Sequence, residues 1–345
     1  VTGGSTPDLR VCVDFGSTFT KACVVDLATA TVLGRASHRT SVDTDVLDGF
    51  RACLSELDRT SPGAADAEVL ACSSAGGGLR IAVVGNEELV TSEAGRRVAL
   101  SSGGRVVHVA SGPLDADAVA ELAGQRPDVL LLVGGTDGGN AEVLLSNASS
   151  LAASHLSLPV VVAGNQAVAD DVRLTLERSG VPVELCANVM PRIGAFDPGP
   201  ARAALRAMFL SHVIGGKHLS ASDEFAAMVR GATPDVMLAA VELMAHGAGP
   251  QHPGWGDIAV VDVGGATTDV YSVVEVDPES VGRDVVGLVD ASRTVEGDLG
   301  LRWSAVSTVA AAVAAGLVDE EVREKAEVQA AARQADPGML ATEDP

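Results

Sequence analysis

The sequence predicts a two-lobed α/β protein. Three observations carry that expectation: a strand–turn–strand opening near the N-terminus, regular strand–helix alternation from about Arg105, and the return of the opening signal at Asp257. The chain has 345 residues, 47% of them hydrophobic, enough for two medium domains that each hold their own core. The expected division is a leader over 1–9, a first lobe over 10–256 with an inserted α/β segment and a helical connector, the start of a second lobe over 257–335, and a disordered tail over 336–345.

Each element follows from local pattern. Arg10–Phe15 alternates and is apolar, Gly16-Ser17-Thr18 turns the chain, and Lys21–Asp26 and Thr31–Ser37 complete a three-stranded antiparallel start. Asp43–Leu57 sets Val46, Leu47, Phe50, Leu54 and Leu57 at helical spacing, with Asp43 or Thr44 as N-cap. Glu68–Ser73 reads as a strand ending in Ala75-Gly76-Gly77-Gly78, followed by a hairpin-like stretch and an amphipathic helix near Leu89–Leu100. Strands are expected at Val106–Ala110, Val129–Val133, Val160–Ala163 and Val183–Cys186. Helices are expected at Ala116–Ala123, Ala141–Ala153, Gln166–Ser179 and Pro200–Val213, the alternation of right-handed crossovers over a largely parallel sheet. In the helical block that follows, Thr233-Pro234 starts a helix that Gly247 ends, and Gly247–Gly256 connects. Asp257–Val263 and Thr268–Val276 then repeat the strand–turn–strand signal, and the Ala-, Glu- and Gln-rich chain from Gly316 suits an exposed helix.

Composition excludes several function classes. A formal charge of −22 disfavours DNA, RNA or an anionic membrane surface as partner, and 3% aromatics argue against a base-stacking platform. No apolar run reaches the ~20 residues that span a bilayer. The five cysteines (Cys12, Cys23, Cys53, Cys72, Cys186) are odd in number, lack CxxC spacing and mostly sit in apolar runs, so buried free thiols in a reducing, cytoplasmic setting are expected. His212, His218, His246 and His252 lack metal-ligand spacing, and no GxSxG nucleophile stands out.

Two hairpins carry the chemistry. Asp14-Phe15-Gly16-Ser17-Thr18-Phe19-Thr20-Lys21 and Asp262-Val263-Gly264-Gly265-Ala266-Thr267-Thr268-Asp269 share one plan: an aspartate ending an apolar strand, small residues in a tight turn, then hydroxyls. Glycine lets backbone approach phosphate oxygens, and successive N–H groups in such a turn form an anion-binding concavity. Aspartates are hard ligands suited to Mg²⁺, often through its retained waters. A third feature, Gly134-Gly135-Thr136-Asp137-Gly138-Gly139-Asn140, follows a strand and opens a helix with Asn140 as N-cap. Its spacing is not GxGxxG and no acidic residue follows about 20 positions on, so a dinucleotide site is not expected. A tight strand–helix turn and an anion- or partner-contacting loop both remain open there, with Asp137 as the candidate cofactor-binding residue. Glu296 and Asp298 stand between a nucleotide or interface contact and a solvated turn.

The twin hairpins resemble the phosphate motifs of the actin/Hsp70/sugar-kinase ATPase superfamily. More specifically, Asp14–Ala22, Leu131–Asn140 (LLVGGTDGGN), Ala187–Arg192 (ANVMPR) and Arg293–Arg302 (RTVEGDLGLR) together resemble the glutamate-mutase MutL (GlmL) family, which is unrelated to the mismatch-repair protein of that name. The likeness runs from about Arg10 to Ala305. It implies an actin-like ATPase (ribonuclease H-like) fold, ATP or ADP with Mg²⁺ as cofactors, and weak ATPase activity. It also implies an accessory or reactivating role toward an adenosylcobalamin-dependent mutase, whose subunits would be the partners. By position, Asp14 and Asp262 would be the catalytic, metal-holding pair. Gly16, Ser17, Thr18 and Lys21 would contact the β- and γ-phosphates from one side, and Gly264, Gly265, Thr267 and Thr268 from the other. The superfamily places a Gly-Gly adenosine motif well after the second hairpin; none is found after Gly300, so a shortened form of a longer protein is expected. A small-molecule kinase (sugar or acid) and a nucleotide-binding scaffold without turnover are the alternative readings.

Overall fold

The computed structural model describes residues 8–214, 219–275, 286 and 289–339. Apolar alternation builds the first sheet. In β1 (Leu9–Phe15), Val11, Val13 and Phe15 point into the core while Arg10, Cys12 and Asp14 take the opposite face, as the two-residue period of a strand requires. β2 (Phe19–Asp26) and β3 (Thr31–Arg39) continue antiparallel. α1 (Val46–Thr60) adds Val46, Leu47, Phe50 and Leu57 to the same core. Its cap is Asp45, whose side chain accepts from the Leu47 N–H; the expected Thr44 is held outside the helix because its N–H closes a turn on the Ser41 carbonyl. β4 (Glu68–Ser73) returns parallel to β1.

The expected hairpin after β4 is a crossing to a second sheet. Gly76, Gly77 and Gly78 have φ of 68, 86 and 68°, a path that L side chains rarely follow, and it delivers β5 (Leu79–Gly85) away from β4. β5 is buried along nearly its whole length, as a strand covered on both faces must be. A single π turn (Glu88–Ser92) and α2 (Glu93–Ser101) lead to β6 (Gly104–Ser111). Then α3 (Ala116–Gly124), β7 (Val129–Leu132), α4 (Glu142–Ala153), β8 (Val160–Val162), α5 (Ala169–Glu177) and β9 (Val183–Leu185) alternate. The sheet is parallel throughout, in the order β6-β5-β7-β8-β9.

After α6 (Gly199–Met208) and α7 (Asp223–Met228), β10 (Val229–Ala232) rejoins the first sheet beside β4 and parallel to it. This stretch was expected to be helical; four residues with Gly231 and exposed Arg230 show too little alternation to signal a strand. The completed order, β3-β2-β1-β4-β10, has three antiparallel strands followed by two parallel ones. That is the ribonuclease H-like sheet of an actin-like lobe, and the second sheet is inserted between its fourth and fifth strands.

α8 (Thr233–His246) then leads to a third sheet, β11 (Ile258–Val263), β12 (Thr268–Val273) and β13 (Ala291–Glu296), antiparallel in that order like β1–β3. Leu238, Val241 and Ala245 of α8 pack on Tyr271, Val273 and Ala291. α9 (Ala305–Ala314) and α10 (Glu320–Ala335) follow. The first part of the expected disordered tail is tethered: Asp336 faces Arg39 at 3.5 Å, and Arg302 donates to the Met339 carbonyl. Most of the leader (1–7), His218, the end of the expected strand at Val276 and the tail from residue 340 lie outside the described residues. No helix among the described residues is long and apolar enough to cross a membrane.

Candidate functional site

Asp14 and Asp262 are the penultimate residues of β1 and β11, and the turns beyond them are built alike. The Gly16 N–H donates to the Phe19 carbonyl at 3.2 Å, and the Gly264 N–H to the Thr267 carbonyl, at the same separation in sequence, at 2.8 Å. The two turns meet. A Cβ on Gly265 would stand 2.4 Å from Thr18 Oγ1, so only glycine allows that approach. Trp303 Nε1 donates to the same hydroxyl at 3.1 Å.

Neighbouring segments consume the carbonyls of both turns. Thr40 donates its N–H to the Thr18 carbonyl and its hydroxyl to the Gly16 carbonyl, both at 2.9 Å. On the other side the chain after β13 forms a strap. The Leu301 N–H reaches the Gly264 carbonyl at 3.0 Å, those of Arg302 and Trp303 the Gly265 carbonyl at 2.8 Å, and the Ser304 hydroxyl the Ala266 carbonyl at 2.7 Å. Gly300 crosses so close to Ala266 that a Cβ would lie 2.5 Å from its carbonyl carbon. Among the described residues, the N–H groups of Ser17, Thr18, Gly265 and Ala266 have no protein acceptor. Donors without acceptors, on turns where the carbonyls of Gly16, Thr18, Gly264, Gly265 and Ala266 are already satisfied, form a cradle for an anion.

Both turns line one cavity of about 360 Å³, within the range of small-molecule sites. Asp14, Gly16, Ser17, Thr18 and Lys21 face it from one side, and Asp262, Gly264, Gly265 and Thr267 from the other. Thr268 is the exception among the expected hairpin contacts. It lies outside the lining because its hydroxyl is donated to the Leu299 carbonyl at 2.8 Å, fixing the strap. The cavity also takes in residues that pattern reading gave no role: Gly77 and Gly78 after β4, Thr233 at the start of α8, and the cations Arg105 and Arg302. Signals were present for two of these, the glycine run and the RTVEGDLGLR motif; Thr233 and Arg105 carried none.

The electrostatics set the two aspartates apart. Asp14 accepts from the Thr233 hydroxyl at 2.8 Å and has Lys21 Nζ at 3.8 Å. Asp262 opens to the cavity, yet its carboxyl is pushed above the ordinary range, first by loss of water, then by Asp269, with Lys21 opposing and Asp14 adding to the rise. Asp269 is itself held by buried Arg293, at 2.8 Å from Nε and 2.5 Å from Nη2. The same guanidinium donates to the Leu100 and Gly104 carbonyls at 2.8 and 3.1 Å, tying the second turn to the α2–β6 junction. Facing carboxylates with one raised pKa are the donor set a divalent cation would relieve. No group of three or more His, Cys, Asp or Glu among the described residues could hold a metal alone. Mg²⁺ fits such a site because it keeps several waters and takes phosphate oxygens as ligands.

Comparison with known proteins bears on this geometry. The family model described as MutL protein matches residues 10–344. The chain belongs to that MutL family. A curated relative, "Protein MutL" of Clostridium tetanomorphum, is 39% identical over 304 residues, 87% of this chain; the chain spans 66% of that relative's length. Among solved structures, a nucleotide-free acetone carboxylase described by its ATP-dependent acetone carboxylation is similar at 16% identity and a TM-score of 0.38, over 98% of this chain and 60% of that one. A likeness that distant carries no argument here.

Two of the motifs shared with the MutL family meet outside the cavity lining. Asp137, in LLVGGTDGGN, accepts on Oδ1 from the Gln166 N–H at 3.0 Å and from Asn188 Nδ2, in ANVMPR, at 2.9 Å. Its own N–H donates to the Pro191 carbonyl at 3.1 Å. Asp137 is not among the cavity residues; its Oδ1 stitches three loops at the carboxyl edge of the second sheet, on an exposed stretch of chain. The N-cap of α4 is Ala141 rather than the expected Asn140, which stands one residue earlier and accepts from the Glu142 N–H at 3.0 Å. Glu296 ends β13 opposite Thr268, Asp298 follows in an exposed turn, and neither lines the cavity, which is the solvated turn of the two readings.

Proposed function

We propose that this chain binds Mg²⁺–ATP between its two turns and hydrolyses it slowly, within an accessory protein that reactivates an adenosylcobalamin-dependent mutase. The observation that carries the first half is the pair of equivalent turns, in contact through Gly265 and Thr18, with four unpaired N–H groups and two aspartates at one cavity. The N–H groups and Lys21 would receive the β- and γ-phosphates. Asp14 and Asp262 would hold the cation, directly or through its water. Bound there, Mg²⁺ would neutralise phosphate charge that the acidic protein cannot. The Ser17 hydroxyl would orient the terminal phosphate, and that of Thr267 would do so by leaving Asp269 Oδ2, to which it donates at 3.2 Å. The Thr18 hydroxyl already accepts from Trp303 and keeps its proton to donate.

The second half rests on membership of the MutL family and on the way the halves meet. A γ-phosphate bridging the turns would favour one arrangement of the lobes, and its loss would release it. Only such a difference in partner affinity lets hydrolysis act on a bound enzyme, and a tenfold difference needs about 1.4 kcal/mol. Among the described residues only helices follow Gly300, with no strand and glycine pair to seat a base. Phosphate contacts should therefore dominate, and ATP and GTP should bind within about tenfold of each other.

Titration calorimetry tests the site. Asp262→Asn should weaken Mg²⁺-dependent ATP binding on the order of 10²-fold, the cost of losing a coordinating charge. Unchanged affinity in both Asp14→Asn and Asp262→Asn would remove the assignment. For the partner, a mutase inactivated with hydroxocobalamin is incubated with the whole MutL protein and fresh adenosylcobalamin. Recovery with ATP but not with a non-hydrolysable analogue is expected. Equal recovery with both, or ATPase stimulation by a small sugar or acid instead of by the mutase, would overturn the reading.

A further inference from the structure

The outer face of the first sheet carries a feature that nucleotide binding does not use. Val11, Val13, Ala22 and Val24 point into the core, so the alternating residues Cys12 and Cys23 share the other face. They are direct cross-strand partners in the β1–β2 register. Opposed residues of an antiparallel pair have Cα atoms roughly 4.5–5.5 Å apart, inside the ~4.4–6.8 Å that a disulfide bridges. Both thiols are free and half-buried, and both line a groove of about 880 Å³ on that face. Arg35 stands opposite Cys23 on its other side, in the β2–β3 register.

We propose that Cys12 and Cys23 form a redox-active dithiol whose oxidant is a low-molecular-weight disulfide. Cys23 is the attacking group. The Cys12 thiol hydrogen-bonds to it and outweighs partial burial, and Arg35 adds its charge, so the Cys23 thiol is pushed down to about 6. It is accessible from the groove, beside a guanidinium and opposite a resolving partner, the features of a redox-responsive cysteine. The other thiols are otherwise engaged. Cys72 donates at 3.7 Å to the Val13 carbonyl and to Asp14, Cys53 donates to the Thr20 carbonyl behind the sheet, and burial pushes Cys186 up to about 12.

The step balances. The Cys23 thiolate attacks one sulfur of the oxidant, forming a mixed disulfide and releasing one thiolate. Cys12 gives its proton to water, its sulfur attacks Cys23 Sγ, and the second half of the oxidant leaves as thiolate. The protein loses two electrons and two protons, and the oxidant becomes two thiols.

The full chain incubated with glutathione disulfide should fall from five titratable thiols to three and lose about 2 Da, with peptides containing Cys12 and Cys23 cross-linked on non-reducing mapping. Cys12→Ser should stop at a glutathione adduct on Cys23, and Cys23→Ser should leave Cys12 as a thiol. Circular dichroism and continued protection of Cys53 and Cys186 would show that each variant is folded. A wild-type protein that ends as an adduct, links Cys72, or reacts no faster at Cys23 than at Cys186 would overturn the proposal. Because the readout is thiol chemistry, its failure is separate from any failure of nucleotide binding.

Discussion

The two turns have the same backbone and opposite solutions to charge. Seven residues after each aspartate stands its register partner on the return strand: Lys21 opposite Asp14, Asp269 opposite Asp262. The first turn rests on β1, paired on both sides, and needs only an exposed lysine at 3.8 Å. The second rests on β11, whose sole partner among the described residues is β12, and Val261 and Val263 stand exposed along it. There the like-charged partner is neutralised by Arg293, which is buried and also bonded to two carbonyls at the inserted sheet. One turn is rigid through its own sheet; the other is held by long-range polar contacts. The second turn is thus the half of the site that the rest of the molecule can move.

Removing each cation is the sharpest way to break this comparison. Arg293→Leu leaves Asp269 buried without a cation, with only the Thr267 hydroxyl donating to it at 3.2 Å, and should cost about 3–5 kcal/mol. Lys21→Met breaks a solvent-exposed pair and should cost no more than about 1 kcal/mol, while weakening ATP binding. Urea denaturation of both variants checks the contrast. Equal losses of stability would mean that the second turn does not depend on Arg293.

A smaller effect isolates the contact between the turns. Gly265→Ala places a methyl 2.4 Å from Thr18 Oγ1, whereas a Cβ on Gly264 lies 3.1 Å from its nearest neighbour, the Thr267 carbonyl. Overpacking of this kind typically costs about 1–3 kcal/mol, so ATP affinity should fall on the order of tenfold in Gly265→Ala and much less in Gly264→Ala. Adding Thr18→Ala removes the hydroxyl that clashes, and the double variant should recover part of the loss. Strict additivity in that cycle would show that the turns are not in contact in the binding state.

How much of this was legible depended on where the signal resided. Both turns could be read because each is encoded within eight consecutive residues: aspartate, glycines, hydroxyls. The first three strands, β4 and the helices of the inserted sheet were legible for the same reason, since period-2 and period-3.6 patterns are local. β10 was not, because its place in the sheet comes from pairing with β4, more than 150 residues earlier in the chain, and its own four residues say little. Neither was the direction of Thr268, which follows from a carbonyl at Leu299, or the role of Asp269, which looks like a coordinating carboxylate until Arg293 is seen beside it. The surroundings of Asp137 were hidden in the same way. A glycine-rich loop after a strand suggests a ligand, and only the folded chain brings Asn188 and Gln166 to its carboxylate.

The smallest expected effect reports on the strap. Trp303 Nε1 donates to Thr18 Oγ1 at 3.1 Å, so the strap that holds the second turn also touches the first. Trp303→Phe removes one hydrogen bond from a half-exposed ring, a loss of about 1 kcal/mol at most and so about fivefold or less in ATP affinity. The optical consequence is larger than the energetic one. The protein has two tryptophans, and the other, Trp255, is exposed in the connector before β11. If nucleotide draws the turns together, the Trp303 indole shifts against Thr18 while Trp255 stays in water. ATP should therefore change the emission of the wild-type protein and of Trp255→Phe, and leave that of Trp303→Phe flat although ATP still binds by calorimetry. An ATP-dependent signal that survives Trp303→Phe and disappears in Trp255→Phe would move the nucleotide response from the turns to the connector.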